Sequence, residues 1–505
     1  MRASEKDREV KVFGDFQTPQ DLASKVVSLI HRLGISPKGI LEPTCGRGSF
    51  IVAAVREFPD ADVIFGVEIN PDYARTAKST ISDSRVRIFE GDFFQLDWSV
   101  VLEQSKGPWL IIGNPPWITS SALSVLSSTN MPEKENRQKF SGVEAITGKS
   151  NFDISEWMLL RYMEWLKGKE FAIAVLCKVT VARKLLAFAW ASGIDLVESR
   201  IYHIDAELHF DVSVDACLFI IRSGGGIFSH ECALYKNLDA EHPSNIISFI
   251  DGKIIKNPSD FRRGRHLLGT DSNYQWRSGI KHDCARVMEL NVTEHGYLNG
   301  FDEAVDIEDD FLYPMMKSSD LTSPRRKIRK MVVPQHFPGE DVSHIATVAP
   351  KTWEYLNKHR DLLRKRGSSI YKNKGDFAIF GVGPYSFAPW KVAISGFYKN
   401  LTFTKVGPVD GRPVVFDDTV YFVPCYSDDE AAFVSKLLSS GVTNRLLESM
   451  VHWEAKRPIT ADLLRQIDLA HVAAELDCSY EYEIHIAIAD KPLSSLNGFG
   501  LFKAS

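Results

Sequence analysis

The chain has 505 residues, 44% hydrophobic and 25% charged, with a net charge of −5. This length exceeds one core and predicts two or three domains; no apolar run approaches the roughly 20 residues that span a bilayer, and the polar start Met1-Arg2-Ala3-Ser4-Glu5-Lys6-Asp7 holds no secretory segment. Seven scattered cysteines without a C-x-x-C pair argue against a disulfide framework and a bound metal, and fit reduced thiols in a cytoplasmic protein.

The charge is uneven. Residues 313–412 carry 18 Lys+Arg against 7 Asp+Glu, so the remainder is strongly acidic. Such a basic segment reads either as a nucleic-acid footprint or as a solvated face.

In chain order, residues 1–12 are expected to form a flexible arm. Phe13-Gly14-Asp15-Phe16-Gln17-Thr18-Pro19-Gln20-Asp21 then leads into an amphipathic helix with Leu22, Val26, Ile30 and Leu33 on one face. Thr18 fits an N-cap, Pro19 the first helical position and Asp21 a capping box; the functional alternative is a helix start facing a carboxylate. Gly39-Ile40-Leu41-Glu42 reads as a short buried strand running into Pro43-Thr44-Cys45-Gly46-Arg47-Gly48 and an apolar helix. Strand, Gly-rich turn and helix make the first half of a nucleotide-binding βαβ unit, and the missing third glycine disfavours a nicotinamide cofactor. A second strand, Val63 to Val67, ends in Glu68, 20 positions after Gly48, where a carboxylate suits two ribose hydroxyls. A third, Val86 to Glu90, ends in Gly91-Asp92-Phe93-Phe94; Asp92 suits an adenine amino group and Phe93 or Phe94 the purine face. Capping is the plain alternative for Glu68 and Asp92, but acids at three successive strand ends favour a common ligand.

The fourth strand, Leu110-Ile111-Ile112-Gly113, ends in Asn114-Pro115-Pro116-Trp117. Two prolines fix φ, remove two donors and stop the strand. The Asn114 side-chain oxygen and the Pro115 carbonyl are left as neutral acceptors at a carboxyl edge, where open α/β sheets bind ligands. Acceptors on both hydrogens of an exocyclic amine favour a tetrahedral nitrogen and free its lone pair for methyl transfer, by positioning and without a tuned side-chain pKa. A polar stretch from Thr119 to Lys149 reads as a mobile loop beside the site. Then follow a helix (about Asp153 to Lys167), a strand (Phe171 to Leu176), a helix (about Val181 to Ala191) and strands Leu196 to His203 and Ala216 to Ile221, closed by Ser223-Gly224-Gly225-Gly226. Phe210, just before the last strand, is either a core aromatic or a second ring to stack with Trp117 on a flipped base. The expectation is a seven-stranded α/β Rossmann-like domain over residues 13–225, with helices on both faces.

Residues 226–312 read as a connecting region, and 313–505 as a mixed α+β domain with basic and aromatic clusters. These clusters are Arg325-Arg326-Lys327-Ile328-Arg329-Lys330, Arg364-Lys365-Arg366-Gly367, Phe380-Gly381-Val382-Gly383-Pro384-Tyr385 with Lys391, and Ala455-Lys456-Arg457-Pro458.

Asn114-Pro115-Pro116-Trp117 with Glu42-Pro43-Thr44-Cys45-Gly46-Arg47-Gly48 and the upstream Thr18-Pro19 element resembles the class I S-adenosylmethionine-dependent methyltransferases. More narrowly, it resembles the gamma class of amino-group DNA methyltransferases of restriction–modification systems, which act on adenine N6. The resemblance covers residues 13–222 and more loosely 313–470. It implies that Thr18 meets the cofactor carboxylate, that Glu42, Cys45, Gly46 and Gly48 form the S-adenosylmethionine loop, and that Glu68 holds the ribose and Asp92 with Phe93 the adenosine. It also implies that Asn114 and Pro115 hold the target amine and that Trp117 stacks on the base. The downstream region would be a target-recognition domain for double-stranded DNA, with Arg325, Arg326, Lys327, Arg364, Lys365, Arg366, Tyr385, Lys391, Lys456 and Arg457 as candidate contacts. Two departures stand out: Trp117 replaces the commoner Tyr or Phe, and Cys177-Lys178 replaces a proline after the fifth strand. The rival readings are an RNA or protein-glutamine methyltransferase and a non-catalytic DNA-binding subunit. The sequence shows no acidic nuclease constellation, so cleavage would belong to a separate restriction endonuclease.

Overall fold

A computed structural model describes residues 16–118, 153–323, 329–453 and 457–489. The expected arm at 1–12, Phe13-Gly14-Asp15, the polar stretch Thr119 to Lys149, the cluster residues Arg325, Arg326 and Lys327, and Ala455 with Lys456 lie outside the described residues. The chain divides into two compact units, Met1–Pro258 and Ser259–Ser505.

In the first unit the apolar runs become the centre of one sheet. Strands β1 (Gly39–Glu42), β2 (Val63–Glu68), β4 (Trp109–Gly113) and β5 (Phe171–Lys178) are buried along almost their whole length, as parallel strands covered on both faces are. With β3 (Val86–Glu90) they pair in parallel, β1 lying between β2 and β4. Strand β7 (Ala216–Ser223) is antiparallel between β5 and β6 (Leu196–Ile204). The helices of this unit are α1 (Gln20–Arg32), α2 (Ser49–Glu57), α3 (Pro71–Thr80), α4 (Trp98–Leu102), α5 (Ile154–Trp165), α6 (Val179–Ala191) and α7 (Ala206–Phe210). Side chains alternate across the strands and so divide the core. Leu110 and Ile112 pack with Leu22, Val26, Phe50 and Ile51 of α1 and α2. Trp109 and Ile111 pack with Met158, Leu159 and Leu185 of α5 and α6. Each such fully buried apolar side chain contributes about 1.5–3 kcal/mol.

Two expectations are corrected here. Ser223-Gly224-Gly225-Gly226 is a turn within the unit, because β8 (Glu231–Tyr235), β9 (Asn245–Ile250) and β10 (Lys253–Ile255) extend the same sheet. The full order is β10-β9-β8-β6-β7-β5-β4-β1-β2-β3. Strand β8 pairs in parallel with the free edge of β6, so the expected connecting region 226–312 is shared between the two units. Second, α1 starts at Gln20 with Pro19 as its N-cap, and no side chain caps it. Pro19 is extended, with ψ 143°, so Thr18 stands outside the helix.

The strand order reverses between β1 and β4. The connections after these strands diverge and open a crevice at their carboxyl ends. Glu42, Glu68 and Asn114 all stand at that edge.

The second unit is built from mostly antiparallel strands and helices, with β15 (Leu312–Met316) parallel to β19 (Val415–Phe416). One sheet runs β11 (Arg277–Ser278), β20 (Val420–Cys425), β17 (Trp390–Ser395), β18 (Thr404–Val406). The other has the order β14-β13-β12-β16-β15-β19, from β12 (Glu289–Thr293), β13 (Gly296–Leu298), β14 (Ala304–Val305), β15 (Leu312–Met316), β16 (Arg329–Val332) and β19 (Val415–Phe416). Helices Asp428–Leu438 and Gly441–Met450 follow β20 in the chain.

Candidate active site

The turn between β1 and α2 is held by its own main chain. Cys45 N–H donates to Val67 O and Gly48 N–H to Cys45 O, each at 2.8 Å. Gly46 has φ +51°, a left-handed conformation, and Gly48 is the left-handed N-cap of α2. Burial, with Glu42 and Glu68 nearby, pushes the Cys45 thiol far up, so it is an inert packing group. Glu68 does not cap α3; Asn70 does, its side-chain oxygen accepting from Asp72 N–H at 2.9 Å. The two Glu68 oxygens instead accept from Gly46 N–H and Asn70 N–H, both at 2.8 Å, tying the end of β2 to the Gly-rich loop. Asp92 closes a local turn, accepting from Phe94 N–H at 2.9 Å and Gln95 Nε2 at 3.1 Å. The Phe93 ring is buried among Phe94, Trp98, Trp157, Tyr162 and Trp165, and Phe94 is the more exposed of the pair.

Glu42 is the electrostatic anomaly. It is buried at 3% exposure, and its Oε2 has no hydrogen-bond partner. Burial, reinforced by Glu68 and only partly offset by the Ile51 N–H, raises its pKa well above the usual carboxylate range. A Cβ on Gly113 would lie 3.3 Å from Glu42 Cγ, so the acid of β1 adjoins the end of β4.

There the Asn114 amide is oriented from outside its own strand. Its Nδ2 donates to Phe16 O at 3.1 Å, and its Oδ1 is buried without a partner. Gln17 Oε1 accepts from Arg47 N–H at 3.2 Å. The segment before Thr18 therefore touches both the Gly-rich loop and the Asn-Pro-Pro-Trp turn. Trp117 is buried, and its indole N–H donates to Leu176 O at 3.3 Å. Its ring lies 5.9 Å from Phe16 and 5.2 Å from Phe210, the latter at 73°. Trp117 and Phe210 thus come together as expected, but they meet edge to face, leaving no slot for a base between them.

Two residues here had no role assigned from sequence. Phe16 lies in the Thr-Pro element but contributes through its carbonyl, which no side-chain pattern reveals. Lys178 Nζ donates to Trp117 O at 3.3 Å and to Asp153 Oδ2 at 2.6 Å, joining the turn to the start of α5. The only sequence signal was that a lysine replaces the proline of the resembled family.

The N-6 DNA methylase family model matches residues 4–180. The type II methyltransferase M.NspV of Nostoc sp. is 43% identical over 467 residues, covering 91% of this chain and 97% of the relative. The chain belongs to the type II DNA methyltransferases. A shorter likeness, 37% over 119 residues and 27% of the relative, is to M.CvrRI of Paramecium bursaria Chlorella virus XZ-6E. Among solved structures, the Type IIL restriction-modification enzyme MmeI in complex with DNA has a TM-score of 0.55 at 14% identity, over 88% of this chain and 64% of that one. At that identity it supports the fold alone.

The methyltransferase is therefore adenine-specific and of an S-adenosylmethionine-dependent family. The residues at the crevice fit that cofactor. Glu42 offers a buried, orphaned carboxylate oxygen to a cationic group, and the Gly-rich loop turns on two left-handed glycines, Gly46 and Gly48. Among the described residues, no cluster of His, Cys, Asp and Glu could hold a metal ion, and no helix is long and apolar enough to cross a membrane.

In the second unit two candidate DNA contacts are corrected. Lys391 is buried at 1% exposure, donates to Ala388 O at 2.5 Å and lies over the Phe422 ring, so it faces no phosphate. Arg366 donates to four carbonyls, of Leu363, His282, Ala378 and Asp376, and stacks 3.8 Å from Tyr371, so it pins loops together. Arg364 pairs with Asp376 at 2.8 Å while still exposed, and Lys365 is exposed. Arg457 stacks on Phe397 and reaches Asp418 at 3.5 Å. Tyr385 is half-buried beneath Arg277.

Proposed function

We propose that this methyltransferase is the modification enzyme of a restriction–modification system, methylating the N6 amine of an adenine flipped out of duplex DNA at the Asn114-Pro115 turn. The observation that carries this reading is the Asn114 amide: its nitrogen is fixed by Phe16 O, and its buried oxygen is left without a partner. A buried acceptor without a donor costs about 1–3 kcal/mol, and an amine hydrogen of the target base removes that cost. Pro115 O takes the second hydrogen. Together the two acceptors draw the amine out of conjugation and direct its lone pair. S-adenosylmethionine, when bound, supplies the electrophilic methyl group. Glu42 receives its cationic end, Glu68 its ribose hydroxyls, Asp92 and Phe93 its adenosine, and Thr18 its carboxylate, while Cys45, Gly46 and Gly48 shape the loop. No residue need act as a strong base, because the proton can leave to water after transfer.

Trp117 is the stacking surface for the base, with Phe210 beside it. Since these rings now touch edge to face, base entry requires Phe210 to turn away from Trp117 or the base to cover only one ring. Base–aromatic stacking contributes roughly 1–3 kcal/mol and offsets part of the flipping cost. A restriction endonuclease would be a separate partner, and the enzyme would act in the cytoplasm, on chromosomal DNA.

The test is incubation with labelled S-adenosylmethionine and, separately, duplex DNA, RNA and protein. Label is expected in adenine within one short DNA motif. Asn114→Ala is expected to lower turnover at least about 10²-fold, comparable to removing one preorganised polar group, with cofactor binding retained. Label confined to RNA or protein would overturn the substrate, and full activity in Asn114→Ala would overturn the site.

A further inference from the structure

On the DNA reading just proposed, we infer that Arg277, stacked on Tyr385 and braced by Gln275, reads a guanine edge in the target sequence. Arg277 opens β11, the edge strand of the four-stranded sheet, where it pairs with Phe422 of β20. Its guanidinium lies 4.7 Å from the centre of the Tyr385 ring. Its NH2 donates to Gln275 Oε1 at 2.7 Å, and Gln275 itself is exposed. Its Nε is buried without a partner, and among the described residues nothing accepts from NH1.

The sequence is arranged to put Tyr385 in this place. A Cβ on Gly383 would lie 2.5 Å from Tyr385 Cε1, so only glycine lets the ring fold back over the preceding main chain. Pro384 then opens the short helix Pro384–Phe387 that carries the ring. Gly383 thus serves to seat a ring under an arginine, a purpose that composition did not reveal.

Stability alone does not explain the arrangement. Holding an arginine still costs rotamer entropy, and the orphaned Nε adds a desolvation cost. The half-buried cation–π contact with Tyr385 and the hydrogen bond to the exposed Gln275 offset part of that cost. A fixed guanidinium plane does pay off against a partner that presents two acceptors in one plane. In the major groove that partner is guanine, through O6 and N7. A phosphate requires charge but no fixed plane, and lysines such as Lys365, Lys372 and Lys374 supply that.

The experiment maps methylated sites by sequencing DNA treated with the full-length wild type, Arg277→Ala, Arg277→Lys, Tyr385→Phe and Tyr385→Ala. The wild-type motif is expected to contain a G·C pair at which Arg277→Ala loses about 10- to 100-fold of its discrimination, with the other positions unchanged. Arg277→Lys keeps the charge but not the fork and should relax the same position. Tyr385→Phe should behave as wild type and Tyr385→Ala as a weaker Arg277→Ala. If Arg277→Ala fails to fold, judged by melting temperature and S-adenosylmethionine binding, Arg277→Lys carries the test. Uniform loss across all sequences with a shallower salt dependence would make Arg277 a phosphate contact and overturn the inference. Unaltered discrimination in a folded variant, or a motif without a G·C pair, would also overturn it. Absence of any sequence-specific DNA methylation by the wild type would instead refute the proposed function itself.

Discussion

Glu42 sets a pH signature for the ligand-free first unit. The unfolded carboxyl ionises near its ordinary value of 4.5, whereas the folded one holds its proton to higher pH. Above the ordinary carboxylate pKa, the folded state therefore binds more protons than the unfolded state, and stability falls as pH rises towards the folded pKa. Glu42→Gln is expected to remove this fall. It should raise the ligand-free melting temperature at pH 8 relative to wild type, by roughly 2–4 °C per kcal/mol for a unit of this size, and narrow the difference between pH 5 and pH 8. The same change should weaken S-adenosylmethionine binding in a calorimetric titration. A lower melting point at pH 8 with unchanged affinity would mean that Glu42 is a structural acid. Lys391 carries the opposite sign. Burial lowers its pKa from 10.5 to about 7, so between these values the unfolded state binds the extra proton and stability rises with pH. Lys391→Met is expected to stabilise the protein at pH 6, to lose that advantage by pH 9 as the Ala388 O hydrogen bond is missed, and to leave DNA affinity unchanged. A clear loss of DNA binding in the folded variant would restore Lys391 as a contact.

At the scale of elements, the turn after β4 is held from three sides: Phe16 O on the Asn114 amide, Leu176 O on the Trp117 indole, and Lys178 on the Trp117 carbonyl. Lys178 also pairs with Asp153, the N-cap of α5, and both groups are largely buried. Lys178→Met is expected to lower turnover roughly 10- to 100-fold, since small misplacements of positioned groups cost that much, while S-adenosylmethionine binding stays intact; Lys178→Arg should recover part of the rate. A stopped-flow signal from 2-aminopurine at the target position separates positioning from mere stability. A variant with normal base flipping and normal turnover would remove Lys178 from the site. The sequence revealed these elements unevenly, for physical reasons. Strands β1, β2, β4 and β5 stood out because buried parallel strands are unbroken apolar runs between turn residues. Strands β8 to β10 did not, because Glu231–Tyr235 and Lys253–Ile255 are short and only partly buried, and they follow a glycine run that imitates a linker. Asn114, Glu42 and Glu68 were legible as polar residues at strand ends. The anchoring by Phe16 O was not, because a main-chain carbonyl has no sequence signature. Lys391 misled because a basic residue in a basic tract looks exposed until its strand is seen to be central.

Across the whole molecule, the excess of positive charge between residues 313 and 412 is smaller than it looks. Of its 18 cationic residues, Arg325, Arg326 and Lys327 are not described. Among the others, Lys317, Arg329, Lys351, Lys358, Arg360, Arg364, Lys405 and Arg412 are paired with carboxylates. Arg366 and Lys391 are taken up by carbonyls. Among the described residues, the side chains of Lys330, Lys365, Lys372, Lys374 and Lys399 have no such partner, and all but Lys330 are exposed. Each cation that neutralises a phosphate steepens the dependence of log K on log salt by about 0.9. Lys365→Gln, Lys372→Gln and Lys374→Gln are therefore each expected to flatten that slope by up to about 0.9, and Arg366→Gln and Lys391→Met to leave it unchanged even where they cost stability. Fluorescence anisotropy of a duplex titrated at several salt concentrations measures the slope directly. A slope that responds to Arg366 or Lys391 but not to the three exposed lysines would show that the unpaired cations of this tract are not where the DNA backbone lies. An identical slope in all five variants would show that none of these five cations meets the DNA backbone.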